Sequence, residues 1–150
     1  MVKTLDEKDA SPLDHIGVDL FRAATAWRER LHADMVARGH TWYGDARGAV
    51  AAHLDPRGLA QSELVLRMGL TKQAVQQLLD GLEADGIVRR EADPNDGRSK
   101  RVVYAAKGRA AVRDANEIKR RMERELRTRI GGHAFDELRA MLAEAAEVWR

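Results

Sequence analysis

Thr71-Lys-Gln-Ala-Val-Gln-Gln-Leu-Leu-Asp-Gly-Leu-Glu-Ala-Asp85 is the stretch on which the fold turns. Val75, Leu78, Leu79 and Leu82 fall at i, i+3, i+4 and i+7, so one helical face carries all four and must be covered by a core. Gln73, Gln76, Gln77 and Asp80 repeat that spacing half a turn away, with Lys72 beside them at the amino end and Thr71 where an N-cap belongs. Such a face suits a helix lying in a DNA major groove, where glutamine pairs with the edge of adenine and lysine with guanine or phosphate. It equally suits an amphipathic helix whose polar side is merely solvated. The helix alone does not separate the two readings; its flanks do.

Upstream, Gln61 to Met68 reads as a shorter helix with Leu64 and Met68 inward, and Gly69-Leu70 makes a tight turn into Thr71. Helix, short glycine turn, helix is the helix-turn-helix arrangement. Downstream, Gly86 can end the second helix, and Ile87 to Glu91 and Arg101 to Ala105 are short stretches rich in β-branched or apolar residues. Between them Asp93-Pro-Asn-Asp-Gly-Arg-Ser-Lys100 forms a turn that also carries cations. The pattern predicts a winged helix whose basic hairpin tip reaches over the DNA backbone.

In this region the chain resembles the MarR family of bacterial transcriptional regulators. The family's Asp-x-Arg element after an Asp-Pro is matched by Asp93-Pro94 and Asp96-Gly97-Arg98, and its helix-to-wing junction by the run from Leu82 to Arg90. Two departures concern element ends. Ala105-Ala106-Lys107-Gly108 stands where members often have Leu-Thr before the glycine, and the first helix of the motif begins at Ala60 in place of a Thr or Ser cap.

A chain of 150 residues with 44% hydrophobic content can bury a single core, or a small domain plus an association surface. The formal net charge of +2 does not point to nucleic acid by itself. Its distribution does: between Gly86 and Lys107, Arg89, Arg90, Arg98, Lys100, Arg101 and Lys107 outnumber Glu91, Asp93 and Asp96. The absence of cysteine excludes disulfides and thiol redox switching. No apolar run is long enough to span a membrane and the amino end is too charged for a secretory signal, so a soluble cytoplasmic protein is expected.

Residues 1–12 are expected to form a flexible arm. From Leu13, the positions Ile16, Leu20, Ala24, Trp27, Leu31 and Met35 predict one long helix ending near Arg38-Gly39, and Thr41 to His53 reads as a further helix. After the wing, Ala111, Ala115, Ile118, Met122 and Leu126 mark a helix from Lys107 to Arg129. Ile130-Gly-Gly-His133 is a break, and Phe135, Leu138, Leu142, Ala145 and Trp149 form the seam of a last helix. Both chain ends are thus amphipathic helices outside the DNA-binding unit. The economical way to bury them is against each other and against a second subunit; a monomeric bundle is the alternative. In the MarR family the terminal helices form the dimer interface, so resemblance and periodicity agree. The expected fold is mainly α with a small two-stranded β-wing: a winged helix-turn-helix at 41–106, with helix 71–85 and wing 87–105, plus dimerisation helices at 13–38 and 107–150.

A two-fold dimer implies an inverted repeat of double-stranded DNA with half-sites about one turn, roughly 34 Å, apart. Expected DNA contacts are Gln73, Gln76 and Gln77 on bases, Thr71 at the helix start, Lys72 on a base or phosphate, and Lys100 and Arg101 on the backbone. Strand alternation turns only one of Arg89 and Arg90 toward DNA. The resemblance makes Arg98 the wing arginine that enters the minor groove; Asp96, whose carboxylate phosphate would repel, is expected to shape the wing through a salt bridge or turn hydrogen bond. It also implies release from DNA by a small aromatic effector, for which Trp27, His32, Trp42, Tyr43 and His53 are the candidates; aromatic residues at helical spacing are also ordinary core. His15, His32, His40, His53 and His133 show no pair spaced as metal ligands, so neither a metal nor another cofactor is expected. A repressor of such an operator is the function expected. A winged-helix protein adaptor or antagonist is the alternative, disfavoured by the glutamine face and basic wing. An enzyme is not expected, for no nucleophile–base pair or phosphate-binding glycine loop is present.

Overall fold

The computed structural model describes residues 15–94 and 96–150, with the backbone alone at 96–98. The expected arm therefore lies outside the described residues. The chain divides into two compact units, to residue 30 and from Leu31. Helix α1 (Ile16–Ala37) begins in the first and ends in the second, where Leu31 and Met35 are buried. A 3-10 turn (Thr41–Gly44), α2 (Gly48–His53), β1 (Leu59–Ala60), α3 (Gln61–Met68), α4 (Lys72–Ala84), β2 (Val88–Asp93), β3 (Asp96–Tyr104), α5 (Ala106–Ile130) and α6 (Gly132–Val148) follow. Among the described residues no helix is long and apolar enough to cross a membrane.

Two sequence expectations need correction. The single helix expected over 41–53 is broken, because Asp45 adopts an extended backbone and its carboxylate accepts the Arg47 N–H at 2.8 Å. A side chain that satisfies a nearby backbone donor offers the chain an alternative to the helix. The two-stranded wing is part of a three-stranded antiparallel sheet in the order β1-β3-β2. The extra strand is only Leu59–Ala60, paired with Val102 and Arg101. It sets the first turn of α3 beside the wing.

The core of the second unit joins α3, α4, β3 and α5. Leu64 of α3, Val75, Leu79 and Leu82 of α4, Val102 of β3 and Ile118 of α5 are each 0% exposed. Full burial of side chains this size is worth about 1.5–3 kcal/mol each. The α4 stripe read from the sequence is therefore the face that fixes this helix on the domain. At its far end Gly86 is left-handed at φ 72°. There Ile87 N–H reaches Leu82 O at 2.8 Å and Gly86 N–H reaches Glu83 O at 3.0 Å. This is a Schellman ending, which needs a residue without a Cβ and leads the chain straight into β2.

Candidate nucleic-acid interface

Helix α4 opens on a made cap, with Thr71 Oγ1 accepting the Ala74 N–H at 3.2 Å. Burial of Val75 and Leu79 leaves Lys72, Gln73, Gln76 and Gln77 exposed along the first two turns. Asp80 continues that face but is occupied differently: its carboxylate accepts the Arg90 guanidinium, which is also bound to Glu83. The outward surface left for recognition is therefore the amino-terminal half of the helix.

Arg90 is the rivet between helix and wing. Its backbone N–H donates to Glu83 Oε1 at 2.8 Å and its Nε to Glu83 Oε2 at 3.0 Å. Its side chain is only 14% exposed, so of the two wing arginines left open by strand alternation it is Arg90 that turns toward α4. Arg89 is exposed and paired with Glu91 at 3.2 Å. The Arg90 guanidinium holds the Glu83 carboxyl below its usual range. A lowered carboxylate contributes stability above its unfolded pKa of about 4.3, and that contribution is lost as pH falls through the lower folded value. Glu83→Gln is therefore expected to flatten part of the acid limb of a Tm-against-pH profile below about pH 4.3. An unchanged limb would mean that the pair does not form.

The wing cations divide in the same way. Lys100 is exposed. Arg101 is half-buried, and its Nη2 donates to the carbonyls of Arg57 and Gly58, fastening β3 to the loop before β1. It thus has a structural task with no signature in the sequence. The Arg98 and Asp96 side chains lie outside the described residues.

Between α3, the start of α4 and the wing runs an open groove of about 610 Å³. Lys72, Gln76 and Lys100 border it, together with Gln61, Ser62 and Ser99, which the sequence reading did not single out. They enter because β1 pairs with β3, and a two-residue strand leaves no periodicity to detect. Thr71, Gln73 and Gln77 are exposed on α4 but do not line this groove among the described residues. Three sides with hydrogen-bonding groups and two lysines make a surface that fits an anionic, edge-patterned polymer.

The expected effector residues are only partly gathered. Trp42 and Tyr43 are 5% and 7% exposed, with ring centroids 5.2 Å apart, and His32 meets Tyr43 edge-on at 5.4 Å. Both aromatic residues line a cavity of about 150 Å³ with Leu54, Tyr104, Ala115 and Lys119. His32 and His53 are not among its described lining residues, and Trp27 belongs to the first unit. The Trp42 indole N–H is buried without a hydrogen-bond partner, which is uncommon for a donor out of water. Burial pushes the phenols of Tyr43 and Tyr104 up, the latter also through its neighbour Tyr43. Among the described residues no group of three potential ligands could hold a metal ion.

Residues 47–99 match the model of the MarR family. The HTH-type transcriptional repressor Rv2887 of Mycobacterium tuberculosis is 32% identical over 85 residues, 57% of this chain and 61% of that protein. The chain thus spans less than two thirds of the length of the curated relatives it matches. Among solved structures, the transcriptional repressor CouR bound to a 23-mer DNA duplex is 27% identical, with a TM-score of 0.66 over 96% of this chain and 99% of CouR. MarR itself, at 22% identity, shares the fold with a TM-score of 0.66 over 88% of this chain and 95% of its own. These relatives are transcriptional regulators and not enzymes. Residues 47–99, the helix-turn-helix and wing, thus match the MarR family, and along most of its length the chain has the fold of these winged helix-turn-helix regulators.

Proposed function

We propose that the protein is a cytoplasmic, dimeric, sequence-specific DNA-binding repressor acting at an inverted-repeat operator. The observation that carries this is the groove itself: Lys72 and Gln76 from the capped start of α4 face Lys100 of the wing across one surface. Gln76, with exposed Gln73 and Gln77 beside it, supplies the bidentate edge that discriminates adenine. Lys100 and Arg98 supply the wing's contacts, the latter in the minor groove by family resemblance. Arg101, held through Nη2 on the Arg57 and Gly58 carbonyls, is assigned a contact to the DNA backbone through the rest of its guanidinium.

The dimer is assigned to residues 13–38 and 107–150. Its support is the seam of α6, of which Phe135 is covered within the chain while Leu142 is 44% and Trp149 63% exposed, with Met141 beside them at 59%. A second subunit covering these groups would bring two α4 helices into register with successive major grooves. The Trp42–Tyr43 cavity is assigned to a small aromatic effector whose binding releases DNA. Its 150 Å³ is the scale of one aromatic ring.

Selection of bound sequences from a random duplex pool tests the reading. The expected result is an inverted repeat with half-site centres about 10 base pairs apart. No enrichment from a protein that is dimeric in solution would overturn DNA recognition and favour the protein-binding adaptor.

A further inference from the structure

The turn that frames the small cavity is fastened to the recognition helix by one side chain. Arg47 follows the 3-10 turn, and its guanidinium donates to both oxygens of Asp45, with Nη2 to Oδ2 at 2.7 Å. Its remaining nitrogen, Nη1, donates to Asp85 Oδ2 at 2.6 Å. Asp85 is the C-cap of α4, the helix that carries Gln76. A cation at this place also lies on the favourable end of the helix dipole.

The other side of the link is closely packed. Gly48 packs so closely beneath the turn that a Cβ on it would lie 2.2 Å from the Tyr43 carbonyl oxygen. A movement of the Tyr43 backbone toward Gly48 would therefore press on the chain next to Arg47. Interiors this dense pass a displacement on rather than absorb it. At the α4 end the arginine stem runs past Gly81, where a Cβ would stand 3.4 Å from Arg47 Cδ. A single exposed ion pair is worth little, but a guanidinium held by two carboxylates has its geometry over-determined.

We infer that Arg47 is a positioning residue that couples the Trp42–Tyr43 turn to the recognition helix, so that a change at the cavity is read out as a change in the set of α4 on DNA. The inference rests on the proposed role of α4 in DNA recognition. It concerns the chain's own coupling and holds for any occupant of the cavity.

The test uses the unsubstituted full chain as parent, with the Trp42 signal taken as the difference in emission between it and its Trp42→Phe variant, and a labelled operator duplex from the selection. Arg47→Met and Asp85→Asn are each expected to weaken operator binding about three- to tenfold, and the double variant no more than either single one, because both cut the same link. The Trp42 emission change on operator binding, expected with Arg47 present, should vanish in both single variants while helical circular dichroism stays unchanged. A purely structural arginine would not control that signal. Additive losses, a Trp42 response that survives Arg47→Met, or no Trp42 response in the parent would each overturn the coupling. A parent that selects no duplex would overturn the DNA reading and the coupling with it, and is told apart because that failure appears before any substitution.

Discussion

Gly108→Val is expected to be the most damaging single substitution in the domain. Even the Cβ of an alanine would lie 2.1 Å from the Ile87 carbonyl oxygen and 2.7 Å from Tyr104 Cδ1. Neither can retreat. The Ile87 carbonyl already accepts the Ala105 N–H at 2.8 Å, and Tyr104 is 6% exposed in the core. The start of α5 would have to leave the sheet, breaking the contact that ties the wing to the long helix. Overpacking of this kind costs about 1–3 kcal/mol, and more when backbone is the obstacle. We expect about 3 kcal/mol for Gly108→Ala and failure to fold for Gly108→Val, against a net stability of about 5–15 kcal/mol. Gly81→Ala is the control of opposite sign. It lies inside α4, its nearest neighbour is the flexible stem of Arg47 at 3.4 Å, and it should gain up to about 1 kcal/mol of helix propensity. Urea unfolding at one fixed protein concentration measures both, since association shifts apparent stability. A Gly108→Ala midpoint equal to that of the parent would mean that the start of α5 does not pack against Ile87 and Tyr104 as described.

The helices were legible because their apolar spacing is dense and local. In α4 the same four residues that mark the period, Val75, Leu78, Leu79 and Leu82, are the ones that face the core, and Thr71 and Gly86 announce its two ends. The misses share a different origin. Strand β1 is two residues long and exists only because Val102 and Arg101 stand opposite it, far away in sequence. The interruption at Asp45 depends on where one carboxylate points, while the apolar period of Tyr43 and Val50 runs straight through it. For the site, polarity showed which face of α4 is outward, but the division of labour among the arginines was hidden. Arg90 and Arg101 look like wing cations in sequence, and tertiary partners assign them to Glu83, Asp80 and two carbonyls. Gln61 and Ser62 were passed over for the converse reason: they gain their position only through the β1–β3 pairing.

Operator binding should depend most strongly on salt. Phosphate contacts release counterions, so a dimer making about six to ten of them should lose roughly a thousandfold or more in operator affinity between about 50 and 200 mM salt. Within that loss the groove's two kinds of side chain should separate. Lys100 is exposed with no base-reading geometry of its own; Lys100→Ala should weaken binding to all duplexes alike and lower the salt slope by about one per subunit. Gln76 carries no charge, so Gln76→Ala should leave the slope unchanged. It should instead cost about 1–3 kcal/mol per half-site on the selected operator and relax the preference at one base pair. Arg98→Ala should also weaken operator binding, and sedimentation should show the dimer intact in all three variants. Anisotropy titrations at several salt concentrations, on the selected duplex and on one with a single half-site base pair exchanged, separate these outcomes. Equal slopes for Lys100→Ala and the parent would remove the wing lysine from the phosphate path. A Gln76→Ala variant that still prefers the selected base pair would place sequence reading elsewhere on α4, with Gln73 and Gln77 the exposed groups remaining there.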